Sequence, residues 1–322
     1  MAAVNPGPVI EAVGLSKSFD TVQAVQNLSF SVDAGQVVGL LGPNGAGKTT
    51  TIRMLATLAS IDAGSACIGG FDVATQADEV RQLVGLAGQA AAVDEKLTAR
   101  ENLELFGRLY KIPRRERRRR AEDLIEKFDM SDFADRVVGT YSGGQRRRLD
   151  VVAALIASPP ALFLDEPTAG LDPRSRAELW EAIALLASQG TAIVLTTQYL
   201  EEADQLADHI LIIDGGRVVA SGAPETLKRE LKRDVLEVRV AGGSDVTAAV
   251  DIIGPIEGLV TDIDARRLRV PVGDGAIRSL DLLRRIQDGG VAITDFQLRR
   301  PTLDDVFLVL TGSPTDHEEV SA

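Results

Sequence analysis

The chain has 322 residues, a formal net charge of −12 and 45% hydrophobic residues. This length predicts one large domain and a smaller one, and the hydrophobic share is typical of a globular protein with a buried core. The acidic balance argues against nucleic acid as a partner, because nucleic-acid affinity needs a basic surface. The single cysteine, Cys67, cannot form an internal disulfide, which fits a reducing compartment.

The apolar runs are shorter than the roughly 18–20 residues that a membrane-spanning helix needs. The longest candidate runs from Val151 to Leu164, and Ser158 and two prolines interrupt it. Residues 1–8 lack the basic and apolar segments of a signal peptide. We therefore expect another chain to carry out any step inside a membrane.

Residues 1–231 alternate short apolar runs with helical patterns, and we assign them to a first domain. Four runs predict buried strands, at 37–41, 161–165, 192–197 and 210–214. Fully apolar strands with helices between them indicate an α/β domain with a mainly parallel sheet. Residues 98–159 are mainly helical in pattern and predict an all-α insertion.

Residues 232–312 have a different texture and predict a small α+β domain. The predicted strands lie at 236–240, 259–263, 268–272 and 291–298, and helical stripes cover 246–253 and 277–286. The resulting order, βαββαβ, is that of a ferredoxin-like fold. A closing helix is expected at 302–310, and the acidic residues 313–322 have the composition of a disordered tail.

A glycine-rich segment after the first buried strand matches the phosphate-loop pattern G-x-x-x-x-G-K-[ST]. Its residues are Gly42, Pro43, Asn44, Gly45, Ala46, Gly47, Lys48 and Thr49, and a helical pattern begins at Thr50. In such a loop, backbone N–H groups and the helix N-terminus bind phosphate oxygens. Lys48 is expected to reach the β- and γ-phosphates of a bound nucleotide, and the Thr49 hydroxyl to bind Mg²⁺.

Two carboxylates, Asp165 and Glu166, follow the buried strand at 161–165. Because the carboxyl ends of parallel strands face the ligand, Asp165 is expected to hold Mg²⁺ and Glu166 to accept a proton from water. A solvated turn or a helix cap is the alternative for such a pair. Gln89, at the end of another apolar run, is either a neutral ligand of Mg²⁺ or of the water, or an ordinary surface glutamine.

The segment Tyr141-Ser142-Gly143-Gly144-Gln145 resembles the signature motif of ABC ATPases, which are P-loop NTPases. Together with the phosphate loop and the acidic pair, this segment makes the chain similar to ABC ATPases over about residues 9–230. The resemblance implies a homodimer in which the signature of one subunit caps the γ-phosphate held by the other. It also implies that Phe19 stacks on adenine, that Gln89 is the Q-loop glutamine, and that Asp172 lies near the dimer seam.

One position departs from the pattern of ABC ATPases. Their switch histidine follows a strand and two threonines, whereas here Gln198 follows Thr196 and Thr197. The two histidines of the chain, His209 and His317, lie too far along to replace it. Glutamine can donate a hydrogen bond to the γ-phosphate but cannot carry a proton charge. We therefore predict that Gln198 positions the phosphate without acting as a charged switch.

The segments 197–204 and 301–307 are similar to those of the daunorubicin-resistance group of ABC proteins. The group implies an ATP-binding subunit of an ABC-2 type exporter at the cytoplasmic face of the cell membrane, with a separate permease. The expected cargo is a hydrophobic, drug-like or lipid-like molecule. Two alternatives remain: an importer subunit, and a soluble ABC ATPase that acts on ribosomes or DNA. The second usually carries two ATPase units or a coiled-coil insertion, and this chain shows neither pattern.

Two arginine clusters allow more than one interpretation. The cluster at 114–120 could contact acidic lipid headgroups or an acidic loop of the membrane subunit, but a solvated helix face is the simpler explanation. Arg146, Arg147 and Arg148 follow the signature segment. We interpret them as a mixture of surface charge and a contact to phosphate or to the second subunit.

Overall fold

The structure is a computed structural model that describes residues 7–88, 92–230, 234–256, 258–272 and 275–311. The chain divides into two compact units, and the boundary along the sequence lies between Ser221 and Gly222. This division precedes the predicted boundary at residue 231, because the helix at Pro224–Glu230 (α8) contacts the last helix at Leu303–Thr311 (α11).

The first unit is built on a six-stranded sheet whose core strands are parallel. Its strands, in sheet order, are β10 (Arg217–Gly222), β9 (His209–Asp214), β3 (Val37–Leu41), β8 (Ala192–Thr197), β7 (Ala161–Asp165) and β6 (Val84–Ala87). All residues of β3, β7 and β8 are buried, as expected for apolar strands that are covered on both faces. The α/β domain predicted from the sequence is confirmed, and the carboxyl ends of β3, β6, β7 and β8 share one edge.

A second, antiparallel sheet covers part of this unit. Its order is β2 (Val22–Val32), β1 (Ile10–Phe19), β4 (Ala63–Ile68) and β5 (Phe71–Asp72). Ile10, Ala12 and Leu15 of β1 are buried in the same apolar cluster as Leu40 and Phe163 of the central sheet. The two sheets therefore enclose one core, which fixes β3 and the phosphate loop that follows it.

Helices complete the first unit. Those that alternate with the strands are α1 (Lys48–Leu55), α2 (Ala77–Leu83), α6 (Pro173–Ser188) and α7 (Leu200–Leu206). Residues 98–159 contain α3 (Ala99–Leu109), α4 (Arg114–Lys127), a 3₁₀ turn (Val138–Thr140) and α5 (Gly143–Ala153). Thr98 begins α3 with a capping box to Glu101, in which each side chain bonds the other residue's N–H. The predicted all-α insertion is confirmed.

Most arginines of α4 are engaged within the chain. Arg118 pairs with Glu104, Arg119 and Arg120 share Glu116, and Arg120 also donates to the Ile156 carbonyl at 3.1 Å. Hydrogen bonds from these two arginines lower the pKa of Glu116 to about 2. The cluster is thus partly neutralised by its own neighbours, in line with a solvated helix face.

The second unit has a four-stranded antiparallel sheet with two helices inserted between its strands. In sheet order the strands are β12 (Val260–Asp262), β13 (Arg267–Val272), β11 (Asp234–Val240) and β14 (Ile293–Arg299). The helices α9 (Gly243–Ile253) and α10 (Gly275–Asp288) contribute Val246, Ala249, Leu282 and Ile286 to its core. The predicted ferredoxin-like βαββαβ order is confirmed.

The segment before α11 is held by a buried carboxylate. Asp305 accepts hydrogen bonds from the Thr302 N–H at 2.8 Å and from Arg299 Nη2 at 2.9 Å, while Leu303 and Phe307 are buried. Burial opposes ionisation of Asp305, but the hydrogen bonds from Arg299 and Thr302 outweigh it and lower its pKa.

Among the described residues of the whole chain, no helix is both long and apolar enough to cross a membrane.

Candidate functional site

The phosphate loop joins the end of β3 to the start of α1, as the motif requires. Gly47 caps α1 with φ 105°, a conformation that residues with a side chain rarely adopt. A Cβ at Gly47 would also lie 2.2 Å from the Ala24 carbonyl oxygen. The loop is therefore shaped by its contact with β2. As at other helix N-termini, the first N–H groups of α1 have no acceptor in a preceding helical turn and can bind an anion.

Lys48, the first residue of α1, is 4% exposed. Its ammonium donates to the carbonyls of Gly42 at 2.6 Å and Pro43 at 3.0 Å, and lies 3.7 Å from Glu166 Oε1. Burial lowers the pKa of Lys48, and the charges of Glu166 and Asp165 oppose that shift. Burial makes this ammonium dependent on nearby oxygen atoms, and in the chain alone these belong to the two loop carbonyls and to Glu166.

The Asp165 carboxylate, at the end of β7, connects three segments. Its Oδ1 accepts hydrogen bonds from Thr49 Oγ1 at 3.0 Å and from Thr196 Oγ1 at 2.6 Å. The oxygens of Thr49 and Asp165 are the hard ligands that Mg²⁺ prefers, and this ion commonly takes few protein ligands beside phosphates and waters. The donor set of this chain therefore fits Mg²⁺.

Glu166 follows Asp165 in a left-handed backbone conformation, with φ 49°. For a residue other than glycine, such a backbone conformation costs roughly 1–3 kcal/mol of conformational free energy. The Glu166 N–H is held by two oxygens of Thr196, the hydroxyl at 3.0 Å and the carbonyl at 3.1 Å. The Glu166 side chain lies beside Lys48, with Oε1 3.7 Å from Nζ. Thr196 is a site residue that the sequence analysis did not identify.

The signature segment begins α5. Ser142 caps this helix by accepting from the Gln145 N–H at 3.2 Å, and Gln145 accepts in return from the Ser142 N–H at 3.2 Å. A Cβ at Gly144 would lie 2.4 Å from Ser175 Oγ, so this glycine permits close contact with the start of α6. Asp172 caps α6 by accepting from the Ser175 N–H at 3.0 Å, and its hydrogen bonds lower its pKa. Helix capping is thus the observed role of Ser142 and Asp172 in a single chain.

The remaining predicted residues lie at the periphery of this arrangement. Phe19 ends β1, its side chain is half exposed, and the Lys17 ammonium lies 5.3 Å from its ring centroid. Gln198 directly follows β8 and is half-buried. Gln89 lies outside the described residues, which end at Gly88 on that side.

The three arginines after the signature segment have separate roles. Arg146 pairs with Glu95, and Arg148 pairs with Glu178. Arg147 is 8% exposed and donates to backbone carbonyls of its own chain, among them that of Pro167 at 2.8 Å. Arg147 is therefore not a surface charge, because its side chain is enclosed by the turn after β7. The contact of this cluster to phosphate or to the second subunit stays a prediction.

The fold and the site define a class, the ATP-binding cassette. A family model for ABC transporters matches residues 25–169, and one for the C-terminal domain of DrrA1-3-like ATP-binding proteins matches 222–311. A solved ATP-binding subunit of an ABC transporter is 29% identical, with a TM-score of 0.62 over 69% of this chain and 92% of that one.

Curated relatives cover nearly the whole chain. A daunorubicin resistance ATP-binding protein, DrrA2 of Streptomyces coeruleorubidus, is 48% identical over 97% of this chain and 98% of its own length. A Nod factor export ATP-binding protein of Ralstonia nicotianae is 38% identical over 96% of this chain and 95% of its own. The chain therefore belongs to the daunorubicin-resistance family of ABC transporter ATP-binding proteins, as the sequence motifs indicated.

Proposed function

We propose that this chain hydrolyses ATP with Mg²⁺ and drives export through a separate membrane subunit. The observation that carries the proposal is the convergence of Lys48, Thr49, Asp165 and Glu166 at one edge of the central sheet. Thr49 Oγ1 lies 3.0 Å from Asp165 Oδ1, and Lys48 Nζ lies 3.7 Å from Glu166 Oε1. A cation, a hydroxyl and two carboxylates in this order match the needs of phosphoryl transfer to water.

Nucleotide binding is assigned to the phosphate loop and to Phe19. The N–H groups at the start of α1 and the Lys48 ammonium would bind the phosphates, and Thr50 would add its N–H as the third residue of that turn. The half-exposed ring of Phe19 would stack on adenine. Phosphate oxygens would then compensate the charge that burial makes costly on Lys48.

Hydrolysis is assigned to Glu166. Its carboxylate would accept a proton as a water oxygen attacks the γ-phosphorus and the bond to the ADP oxygen breaks. Thr49 and Asp165 would hold Mg²⁺, which neutralises charge on the β- and γ-phosphates. Gln198, at the end of β8, would donate a hydrogen bond to the γ-phosphate, and Gln89 would orient the water or the metal.

The signature residues would act in a second copy of the chain. Ser142, Gly143 and Gly144 lie at the N-terminus of α5, where helix N–H groups attract anions. We propose a head-to-tail homodimer in which this terminus, with Gln145, meets the γ-phosphate held by the other subunit. Asp172 would then approach the seam while still capping α6.

The names of two relatives support an export direction. One is named for daunorubicin resistance and another for Nod factor export, and both match almost the full length of the chain. We propose that the chain lies peripherally at the cytoplasmic face of the cell membrane and drives export of a hydrophobic, drug-like or lipid-like molecule through a separate integral-membrane permease. An import role is disfavoured because the second unit matches the C-terminal domain of DrrA1-3-like proteins.

The test replaces Glu166 with glutamine, which keeps the shape of the side chain and removes the base. We expect turnover to fall on the order of 10²–10⁴-fold while ATP binding persists. The ATP-bound variant should then accumulate as a dimer in size-exclusion chromatography. Glu201→Gln, which alters an exposed acid of α7, is the matched control. Normal hydrolysis by Glu166→Gln would assign activation of the water to another group.

A further inference from the structure

A buried arginine, Arg147, uses its whole guanidinium within the chain. Guanidinium has five N–H donors. Nε donates to the Pro167 carbonyl at 2.8 Å, and Nη2 donates to the carbonyls of Asp165 at 2.9 Å and Glu166 at 3.1 Å. Nη1 donates to the Gly88 carbonyl and lies 3.4 Å from Asp150 Oδ2. One side chain of α5 therefore holds the whole turn that carries both candidate catalytic carboxylates.

Asp150, one helical turn later, completes the arrangement. It is 3% exposed, and its Oδ1 accepts a hydrogen bond from the Ala92 N–H at 2.7 Å. Gly88 and Ala92 are the described residues on either side of 89–91. The Arg147–Asp150 pair thus binds both of these flanking residues as well as the turn after β7.

Such a pair is a costly way to stabilise a fold. Burial lowers the pKa of Arg147 and raises that of Asp150, which means that loss of water disfavours the charged form of both side chains. Apolar residues of similar volume often stabilise a protein equally well or better. What apolar residues cannot supply is a planar set of donors that fixes several carbonyls at once.

We propose that Arg147 and Asp150 are positioning residues for hydrolysis, which link the signature helix to the catalytic turn and to Gly88 and Ala92 in the same subunit. The proposal rests on the proposed ATPase function. When the N-terminus of α5 meets a phosphate, a shift of the helix would move the backbone of Asp165 and Glu166 through Arg147. Neither side chain needs to touch the nucleotide for this effect.

The first test compares Arg147→Lys with Arg148→Lys in the full chain. Lysine keeps the charge but offers a single ammonium in place of the planar fork, so it cannot serve all the carbonyls. We expect kcat for Arg147→Lys to fall about tenfold or more, while the Kd for ATP stays within about threefold. Arg148 pairs with Glu178 on α6 and donates to the Phe128 carbonyl, so its lysine variant should retain the parental kcat.

A double variant, Arg147→Met with Asp150→Leu, separates positioning from folding. It removes both charges together and so leaves no unpaired buried ion. We expect it to fold, to bind ATP with near-parental Kd, and to show the same low kcat. Thermal unfolding and equilibrium binding of a fluorescent ATP analogue provide the two readouts besides turnover.

Three results would overturn the inference. The first is a kcat of Arg147→Lys within about threefold of the parent. The second is a double variant with parental kcat. The third is loss of folding in both variants, which would leave a purely structural role. If the parent chain itself hydrolyses no ATP, the proposed function fails instead, and the two failures are thereby distinguished.

Discussion

Replacing Thr196 with valine isolates the contribution of one hydroxyl to the site. Thr196 is fully buried, and its Oγ1 donates to Asp165 Oδ1 at 2.6 Å while accepting from the Glu166 N–H at 3.0 Å. Valine has nearly the same shape and suits a strand, so the loss is that of the hydrogen bonds. The Glu166 N–H keeps the Thr196 carbonyl at 3.1 Å, and the main loss is therefore the bond to the Asp165 carboxylate.

A hydrogen bond to a charged group contributes about 1.5–3 kcal/mol. We expect Thr196→Val to lower the free energy of unfolding of the first unit by this amount. If the same bond orients Asp165 during turnover, kcat falls by about 10- to 150-fold, since 1.36 kcal/mol corresponds to a factor of ten.

Urea unfolding followed by the fluorescence of the single tryptophan, Trp180, measures the stability change, and phosphate release measures kcat. Thr196→Ser keeps the hydroxyl and is the matched control, with kcat expected near that of the parent. Equal kcat in the valine and serine variants would refute the assignment of Thr196 to the site. A change in stability alone would limit its role to the fold.

Substitutions at three further residues test other parts of the structure. Gln198→Ala should raise the activation free energy of turnover by about 1.5–3 kcal/mol. Gln198→His should preserve turnover and add a pH dependence near pH 6.5. Unchanged ATPase activity in the alanine variant would remove Gln198 from the site. Asp305→Asn should lower the free energy of unfolding of the second unit, measured in urea, by about 1.5–3 kcal/mol. Because the folded pKa of Asp305 is lowered, the stability that it contributes is present above the unfolded pKa of about 3.9 and disappears as pH falls through the folded pKa. A variant with the same acid sensitivity as the parent would contradict the assignment. Burial raises the pKa of Glu202, whose Oε1 accepts a hydrogen bond from Trp180 Nε1 at 3.1 Å. The stability that protonated Glu202 contributes is present below its unfolded pKa of about 4.3 and declines as pH rises through the raised folded pKa. Glu202→Gln should therefore flatten this decline in thermal unfolding measured over a pH series.

The parts of the fold that were predicted share strong local signals. The buried strands β3, β7 and β8 have the predicted bounds, because continuous apolar runs between breakers leave little choice of ends. The βαββαβ order of the second unit followed from alternation in strands and helical spacing between them. The antiparallel sheet of β1, β2, β4 and β5 was not predicted strand by strand, since register shifts along β1 disturb its alternation.

The sequence by itself determined which residues can bind phosphate and which acids follow a buried strand. Phosphate loops and signature segments are contiguous, so their chemistry is legible without a fold. Only the tertiary structure showed that Thr196 bonds to Asp165 and that Arg147 reaches Gly88 and Pro167. An arginine among three in a row carries no mark of burial, and its carbonyl partners are backbone groups that every residue possesses. Packing of α5 against the end of β7 selects one of the three, and this selection depends on contacts between residues distant in sequence.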